Sequence, residues 1–339
     1  MKNDKIDFVI TWVDGSDPAW INEKNKYSNI NGRRSADKII ARYRDWDNLK
    51  YWFRGVEKFA PWVNKIHFVT CGQVPDWLNR DCDKLNLVNH TDFIPSEYLP
   101  TFSSHVIELN LHRIDGLAER FVYFNDDTFL LKPTNSDLFF SNSGLPKYRA
   151  AINAIVPGID GNDIMAHVNF NIMKSINKHF AKNQVIRGNI GKWFNWHYGP
   201  GLMVRTLLNL PYSGFTGMYF DHLPVPCLKS TYDKLWTVEK ELLNSTSYHK
   251  FRNKDDVNQY ILRAWQICEG EFSPLRVGRH GKAYFLSNDC RQICHSIENQ
   301  KYNMVCINDS EKIDNFDELK TSIAQSFETI LPDKSSFEL

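Results

Sequence analysis

Residues 121–131, "FVYFNDDTFLL", place two neighbouring carboxylates between two apolar runs. The first run, residues 121–124, is predicted to form a buried strand, because it is short, continuous, apolar and aromatic. A buried strand cannot accommodate unpaired carboxylates, since charge without a partner is strongly disfavoured away from water. Asp126 and Asp127 therefore lie either in a polar turn at the end of the strand or beside a cation. The stretch alone favours the two alternatives equally.

The segments before this stretch alternate between strand and helix signals. Strands are predicted at residues 6–13 ("IDFVITWV"), 65–70 ("KIHFVT") and 85–88 ("LNLV"). Helices are predicted at residues 47–62 and 103–116. Asp47 is the expected N-cap of the first helix. This alternation predicts an α/β fold in which helices flank a mostly parallel sheet.

A mostly parallel sheet binds its ligands in the crevice beyond the carboxyl ends of its strands. In this chain three predicted strand ends carry polar or glycine residues: Asp14-Gly15, Cys71-Gly72-Gln73 and Asn125-Asp126-Asp127. One crevice can collect all three groups. This is a physical reason to treat them as parts of one candidate site.

The chain is predicted to be a single domain over residues 1–339, built from three parts. Residues 1–145 form the α/β half described above. Residues 146–280 are expected to be an irregular, helix-containing insertion that shapes a pocket, because glycine and aromatic residues concentrate there and periodicity weakens. Residues 281–339 return two strands, "KAYFLSND" and "NMVCIND", and end in an amphipathic helix around residues 316–330.

The composition restricts the partners and the compartment. The formal net charge of +1 does not indicate a polyanion-binding surface, so we expect no nucleic-acid partner and a locally held anionic ligand. No apolar run approaches the roughly 20 residues that a membrane span needs, and the N-terminus has no signal-peptide pattern. Seven scattered cysteines, an odd number, suit a reducing compartment. The protein is therefore expected in the cytoplasm.

Asp126 and Asp127 could hold a divalent metal ion that carries a diphosphate. Hard cations such as Mg²⁺ are bound by one or two carboxylates together with phosphate oxygens. The "CIND" stretch places a second Asn-Asp pair, Asn308 and Asp309, at the end of another predicted strand. Two strand ends can face one ion, and this favours the metal over a simple polar turn.

Four other polar residues are candidates with competing structural interpretations. Glu108 and His112 share one face of the helix predicted at 103–116, and their spacing favours a supporting role over direct metal binding. His222 lies in a proline-rich loop and is as well suited to act as a general base as to be a structural histidine. Arg252 could bind phosphate oxygens, although its position alone favours a solvated basic loop.

Several long segments, in order, resemble the successive conserved regions of the Stealth family. They are "DFVITWVDGSDPAW", "RYRDWDNLKYWFRGVEKFAPWVNKIHFVTCGQVPDWLN", "LPTFSSHVIELNLHRIDGLAERFVYFNDDTFLL", "DHLPVPCLKSTYDKLW" with "SYHKFRNKDDVNQY", and "VCIND". The family contains bacterial capsular and cell-wall polysaccharide phosphotransferases and the catalytic subunit of lysosomal-enzyme N-acetylglucosamine-1-phosphotransferase. The resemblance spans residues 6–309 and implies a nucleotide-sugar-transferase, Rossmann-like core.

The resemblance implies the reaction. A hexose-1-phosphate, such as N-acetylhexosamine-1-phosphate, would pass from a UDP-sugar to a hydroxyl of an acceptor glycan, leaving UMP and a phosphodiester in capsule or cell-surface polysaccharide synthesis. Mg²⁺ or Mn²⁺ would be the cofactor. The reaction would take place in the cytoplasm. The enzyme would associate peripherally with the inner face of the membrane and its polysaccharide-assembly machinery.

The resemblance also assigns roles to residues, all of which match the family's motifs. The functional residues carried over are Glu108, Asp127, His222, Arg252 and Asp309. The nucleotide is placed at Trp12, Val13, Asp14, Gly15, Gly72 and Gln73.

The mechanism expected from these roles has three parts. Asp127 and Asp309 bind the metal ion on the diphosphate, Arg252 stabilises the transferring phosphoryl group, and His222 is the general base. Asp127 is the fallback base, in which case the metal rests mainly on Asp309.

Two other functions compete with this one. A metal-dependent glycosyltransferase would move the sugar alone and release UDP. A non-catalytic glycan-binding protein would use the aromatic stretch 193–220 and turn nothing over.

Overall fold

A computed structural model of the protein describes residues 5–30, 43–158, 163–276, 280–310 and 313–339. The strands are β1 (Ile6–Thr11), β2 (Ile66–Thr70), β3 (Leu85–Asn89), β4 (Arg120–Phe124), β5 (Thr128–Leu130), β6 (Lys147–Tyr148), β7 (Val225–Leu228), β8 (Ser273–Pro274), β9 (Gly281–Phe285) and β10 (Met304–Asn308). The helices are α1 (Pro18–Ile30), α2 (Leu49–Phe59), α3 (His90–Phe93), α4 (Ser104–Asn110), α5 (Ile164–His179), α6 (Lys182–Gly188), α7 (Ile190–Trp193), α8 (Pro200–Leu208), α9 (Lys229–Val238), α10 (Lys240–Ser247), α11 (Tyr260–Glu269), α12 (Arg291–Glu298) and α13 (Phe316–Ile330).

The central sheet has the strand order β3-β2-β1-β4-β7. The first four of these strands are parallel, and β7 runs antiparallel to β4 at the edge. The predicted α/β fold with a mostly parallel sheet is therefore confirmed. Pro226 lies within β7. Proline has no backbone N–H to donate, and it is compatible with β7 because β7 is an edge strand with a neighbour on one side only.

Both faces of the central sheet are covered, as expected for a parallel sheet. In β1, Phe8 and Ile10 belong to one buried cluster, which α2 and α13 complete, whereas Val9 belongs to a second cluster, which includes residues of α4, α5 and α11. Strand residues alternate between faces, so one apolar strand serves both clusters. Because both faces are covered, a ligand can reach the sheet at the ends of its strands.

The second apolar run of the opening stretch belongs to a different sheet. β5 pairs with β10 in the three-stranded order β5-β10-β9, and the Ile307 N–H donates to the Asp127 carbonyl at 2.8 Å. The turn at residues 125–127 therefore joins two sheets. The "CIND" strand end is brought beside the "NDD" turn by this pairing.

Residues 146–280 contain helices, as predicted, and also return a strand to the central sheet. That strand is β7, whose Val225 and Cys227 lie opposite Tyr123 and Phe121 of β4. Its four-residue length and its proline gave no strand signal in the sequence.

Two local predictions are wrong. Asp47 does not cap α2: the N-cap is Asn48, and Asp47 adopts a positive φ of 50°, from which its carboxylate pairs with Lys320. The helix predicted at 103–116 is shorter, because α4 ends at Asn110 and a 3-10 turn, Leu111–Arg113, follows. Among the described residues no helix has the length and apolar character needed to cross a bilayer.

Candidate active site

The topology brings four chain segments to one edge of the central sheet. β1, β2 and β4 are parallel, so the residues after Thr11, Thr70 and Phe124 emerge together. β7 is antiparallel, so the residues before Val225 reach the same edge. His222 is one of them. The edge therefore combines the predicted strand-end residues with a histidine from a distant part of the chain.

Gln73 ties the loop after β1 to the loop after β2. Its amide oxygen accepts from the Asp14 N–H at 2.9 Å, and its Nε2 donates to the Asp14 carbonyl and to Asp17 Oδ2, both at 2.9 Å. Asp14 Oδ1 accepts from the backbone N–H and the hydroxyl of Ser16. The segments expected to hold the nucleotide, Trp12–Gly15 and Gly72–Gln73, thus form one hydrogen-bonded unit.

Two glycines of this unit are required by the backbone. Gly72 has φ +101°, in the region that side chains disfavour. A Cβ added to Gly15 would lie 1.9 Å from the Tyr43 carbonyl oxygen. Both positions therefore exclude larger residues.

Asp127 is one of these strand-end residues, and its two carboxylate oxygens differ in their contacts. Its Oδ2 accepts a hydrogen bond from the Cys306 thiol at 3.2 Å and lies 3.4 Å from His222 Nε2. Its Oδ1 is buried and has no hydrogen-bond partner among the residues that the structure describes. A buried carboxylate oxygen without a donor is costly unless a cation completes it.

His222 is held from both ring nitrogens. Nε2 faces Asp127, and Nδ1 lies 3.3 Å from the Tyr260 hydroxyl. Burial opposes protonation of the ring, but the Asp127 carboxylate, with a further contribution from Glu108, outweighs it and raises the pKa of His222. The imidazole is therefore placed to gain a proton and to hold it.

Asp126 precedes Asp127 in the same turn, and its side chain is exposed to solvent. Desolvation and the negative charges of Asp127 and Asp45 raise the pKa of Asp126 to about 7. Among the described residues, Asp126 therefore lies close to two further carboxylates, those of Asp127 and Asp45.

Arg252 and Glu108 lie near the Asp127–His222 pair, on neighbouring elements. The Arg252 guanidinium donates to the Ser104 hydroxyl at 2.8 Å, at the start of α4. Its positive charge opposes protonation of His222. Glu108, further along α4, is buried, and its Oε2 accepts from the Gln259 N–H at 3.3 Å.

The loop that carries Arg252 is fixed by a buried aspartate. Asp256 Oδ2 pairs with His105 Nδ1 at 2.9 Å, and Asp256 Oδ1 pairs with His249 Nδ1 at 2.6 Å. The Asn253 N–H also donates to this carboxylate at 2.7 Å. His105 is thereby assigned a structural contact, which the sequence pattern left open.

Asp309 follows β10 but its carboxylate is otherwise engaged. Oδ2 accepts from Trp46 Nε1 at 3.1 Å and lies 3.6 Å from Arg44 Nε, and Oδ1 accepts from the Ser310 N–H at 2.6 Å. Desolvation exceeds these interactions and raises the pKa of Asp309. Asp309 is not in the group of potential ligand atoms around Asp127, so joint metal binding by the two remains a prediction.

The residues present fit a hard divalent cation at Asp127. The ligand atoms of Asp127, His222 and Cys306 lie within 4.8 Å of one another. Burial and the neighbouring Asp127 charge raise the pKa of the Cys306 thiol far above its ordinary range, so this group acts as a hydrogen-bond donor and not as a thiolate ligand. The free Asp127 Oδ1 is the oxygen that Mg²⁺ or Mn²⁺ would take.

Sequence reasoning missed three residues of the site. Tyr260 is the first residue of α11, Ser104 is the first residue of α4, and Cys306 lies inside the apolar strand β10. Cys306 alone had a signal, because it precedes Asn308-Asp309 in a segment already identified as a strand end. The other two are recognisable only from their tertiary contacts.

The fold and the site define an α/β protein with a carboxylate–histidine pair at the carboxyl ends of its sheet strands, and comparison with known proteins identifies its class. Residues 4–32 match Stealth protein conserved region 1, and residues 42–148 match conserved region 2. The chain is 42% identical to the capsular polysaccharide phosphotransferase WcwK of Streptococcus pneumoniae, over all of this chain and 99% of that protein.

Two further relatives are similar over nearly their whole length. The chain is 40% identical to the receptor polysaccharide phosphotransferase WefC of Streptococcus oralis, over 99% of each protein. It is 39% identical to the exopolysaccharide phosphotransferase cps2G of Lactiplantibacillus plantarum, over 98% of this chain and 96% of that protein. The protein is a transferase enzyme, and it belongs to the Stealth family. The family resemblance predicted from the sequence is confirmed.

Proposed function

We propose that this enzyme transfers a hexose-1-phosphate from a UDP-sugar to a hydroxyl of an acceptor glycan, forming a phosphodiester and releasing UMP, in capsule or cell-surface polysaccharide synthesis. The observation that carries the proposal is the Asp127–His222 pair, with its unpartnered Asp127 Oδ1, at the ligand-binding edge of the sheet. The full-length relatives named as polysaccharide phosphotransferases support the reaction class.

The donor nucleotide is proposed to lie against Trp12, Val13, Asp14 and Gly15 on one side and Gly72 and Gln73 on the other. These residues follow neighbouring parallel strands and are joined through the Gln73 amide. Gly72 has no heavy atom within 4 Å of the position that a Cβ would take, so a diphosphate could approach the backbone closely there.

The metal ion is proposed to be held by Asp127, with Asp309 as the second ligand. When bound, Mg²⁺ or Mn²⁺ masks the negative charge of the diphosphate and of the departing UMP. Asp309 would have to exchange a contact with Trp46 or Arg44 to take this role.

His222 is the proposed general base. Nδ1 lies against the Tyr260 hydroxyl and Nε2 lies on the Asp127 side, and Nε2 would accept the proton of the acceptor hydroxyl as that oxygen attacks the β-phosphorus. The Asp127 carboxylate, 3.4 Å away, stabilises the imidazolium that results. Asp127 remains the fallback base if His222 has only this supporting role.

Arg252 is proposed to stabilise the transferring phosphoryl group. The positive charge of Arg252 acts on His222. Ser104 and the loop that Asp256 fixes hold the guanidinium in place. A guanidinium fixed in advance stabilises developing charge on phosphoryl oxygens without reorganisation. Glu108, buried beside this group, is proposed to orient it electrostatically.

The acceptor glycan is less closely defined. Three of the eight Phe, Tyr or Trp residues in the stretch 193–220 are not available for stacking on sugars, because Trp193, Tyr198 and Phe215 are buried in the core. Core packing explains these residues, as the sequence interpretation allowed. The cytoplasm is the proposed location, since the reaction needs a UDP-sugar.

The experiment that tests the function measures the released nucleotide. The purified chain, supplied with Mg²⁺ or Mn²⁺ and a panel of UDP-sugars, should release UMP when an acceptor glycan is present, and ³¹P NMR of the product should show a phosphodiester. Release of UDP alone would instead support the metal-dependent glycosyltransferase. Glycan binding that the Asp127→Asn variant retains, with no nucleotide released from any donor, would support a non-catalytic binding protein.

A further inference from the structure

Helix α8 exposes an apolar face. Val204, Leu207 and Leu208 are 51–70% exposed and lie at spacings of three and four residues, which places them on one side of the helix. Thr206 is the buried residue of α8, and its hydroxyl accepts from the Ile152 N–H at 3.1 Å. One side of the helix is therefore fixed to the protein, and the other presents aliphatic side chains to solvent.

Exposed aromatic residues precede and follow α8 in the chain. Trp196, in the short 3-10 helix before α8, is 70% exposed, and Tyr212, after α8, is 59% exposed. The end of the helix is held firmly, because buried Lys182 donates to the Asn209 and Leu210 carbonyls at 2.9 Å. We name the set Trp196, Val204, Leu207, Leu208 and Tyr212 the α8 patch. Clustered exposed apolar residues of this kind mark interaction surfaces.

The surroundings of the α8 patch are cationic. Residues 164–220 contain six Lys or Arg and no Asp or Glu, which leaves 35 Lys or Arg against 40 Asp or Glu in the rest of the chain. Two arginines of this range are exposed, Arg205 on α8 and Arg187 on α6. Arg276, outside the range, is also exposed, and its guanidinium lies 5.8 Å from the Trp196 ring centroid. The charge asymmetry is therefore concentrated where the apolar side chains are exposed.

We propose that the α8 patch docks onto a phospholipid bilayer that contains anionic lipids, with α8 lying in the plane of the interface. Aliphatic residues of one helix face would enter the boundary between headgroups and acyl chains, and Trp196 and Tyr212 would sit at headgroup level. The arginines would pair with anionic headgroups. The chain would lie on the membrane by this surface, as an interfacial helix does.

Charge complementarity selects the bilayer over a second copy of the chain. A two-fold contact would bring the same cationic region of both copies together, because an isologous interface pairs each patch with itself. Residues 164–220 offer no carboxylate to offset that repulsion. An anionic lipid surface supplies the missing negative charge from outside the protein.

Sedimentation with lipid vesicles tests the proposal without a sugar donor, so its result does not depend on the proposed reaction. The full chain is mixed with vesicles of phosphatidylglycerol and phosphatidylcholine, or of phosphatidylcholine alone. We expect binding to the anionic vesicles that weakens as NaCl is raised. Leu208→Glu and Leu208→Gln should each weaken binding at least tenfold, and Arg205→Gln about fivefold.

Leu339→Glu is the matched control, because Leu339 and Leu208 are both 70% exposed. It should bind as the wild type does, and all variants should melt at wild-type temperature. Failure of the wild type to bind anionic vesicles would overturn the proposal. So would wild-type binding by both Leu208 variants, or a dimer in light scattering that Leu208→Glu converts to monomer, since the patch would then be a self-interface.

Discussion

The two ends of the central sheet carry aspartates in opposite circumstances. At the amino end of β1, Asp7 is fully buried and accepts hydrogen bonds from Asn64 Nδ2, the Lys65 N–H, His67 Nε2 and the Ala118 N–H. At the carboxyl end, Asp127 follows β4 and leaves Oδ1 without a donor. The aspartate at the amino end thus has hydrogen-bond donors for its carboxylate, whereas the aspartate at the carboxyl end has one carboxylate oxygen without a donor.

The difference shows how to separate a structural carboxylate from a functional one. Burial opposes ionisation of Asp7, but its hydrogen bonds outweigh burial and lower the pKa of this carboxyl. Asp7 therefore needs nothing further. An unpartnered buried oxygen, by contrast, is a site that a ligand can complete. We expect substitutions at the two ends to separate stability from activity.

Asp127→Asn should give the largest effect. Loss of the free carboxylate oxygen is expected to lower kcat/KM about a thousandfold, or about 4 kcal/mol, because charge stabilisation of the diphosphate is lost. The free energy of unfolding should be unchanged or higher, since a partly unsatisfied buried charge is removed. Steady-state kinetics and urea unfolding of the same preparation measure both. Wild-type kcat/KM would contradict the role of Asp127.

His222→Gln tests the partner of Asp127 in the same cleft. Removal of the proposed base should lower kcat by 10²- to 10⁴-fold, the usual range for a positioned proton acceptor. Tyr260→Phe is the matched control, because it keeps the ring beside His222 and removes only the 3.3 Å contact to Nδ1. Its loss should be much smaller. Equal losses in the two variants would indicate that the role of His222 is structural.

Much of this edge could be predicted from the sequence, because local patterns carry it. The apolar run 121–124, broken at once by charge, identifies both a buried strand and its end, and the glycines after β1 and β2 mark tight backbone. The position of His222 could not be predicted in this way. It depends on β7 pairing with β4, and the "VPCL" strand is short and contains proline.

The failed predictions have a similar origin. Asp47 is a good N-cap residue type, but its carboxylate turns to Lys320, more than 270 positions away in the chain. Tyr260 reads as a core residue, since its helix is apolar on most sides, and only the tertiary structure turns its hydroxyl toward His222. Contacts between distant segments leave no periodicity in the sequence.

Asp7→Asn should have the reverse signature of Asp127→Asn. The buried carboxylate accepts four hydrogen bonds, so its replacement should lower the free energy of unfolding by about 2–3 kcal/mol. The kcat/KM of the folded fraction should remain that of the wild type, because Asp7 lies at the opposite end of the sheet. Urea unfolding and kinetics at a temperature well below the transition measure the two effects. A large loss of kcat/KM in Asp7→Asn, with little change in the free energy of unfolding, would contradict the separation of stability from activity between the two ends of the sheet.

The pH dependence of stability provides an independent test at Asp7. Because its pKa is lower in the folded than in the unfolded protein, its contribution is fully present above the ordinary Asp value of 3.8. That contribution is lost as pH falls through the folded-state pKa. Wild-type urea midpoints should therefore fall below pH 4 more steeply than those of Asp7→Asn. Parallel curves for the two proteins would show that Asp7 is not a source of acid sensitivity.

Cys306 should give the smallest effect and defines how Asp127 is oriented. Its thiol donates to Asp127 Oδ2 and so leaves Oδ1 to face a ligand. Cys306→Ala should lower kcat/KM about fivefold to tenfold, near 1 kcal/mol, and raise the metal concentration needed for half-maximal activity. Cys306→Ser keeps a donor and should restore most of both. If serine and alanine behave alike, the thiol fills space only, and the orientation of Asp127 must come from His222 and the backbone turn.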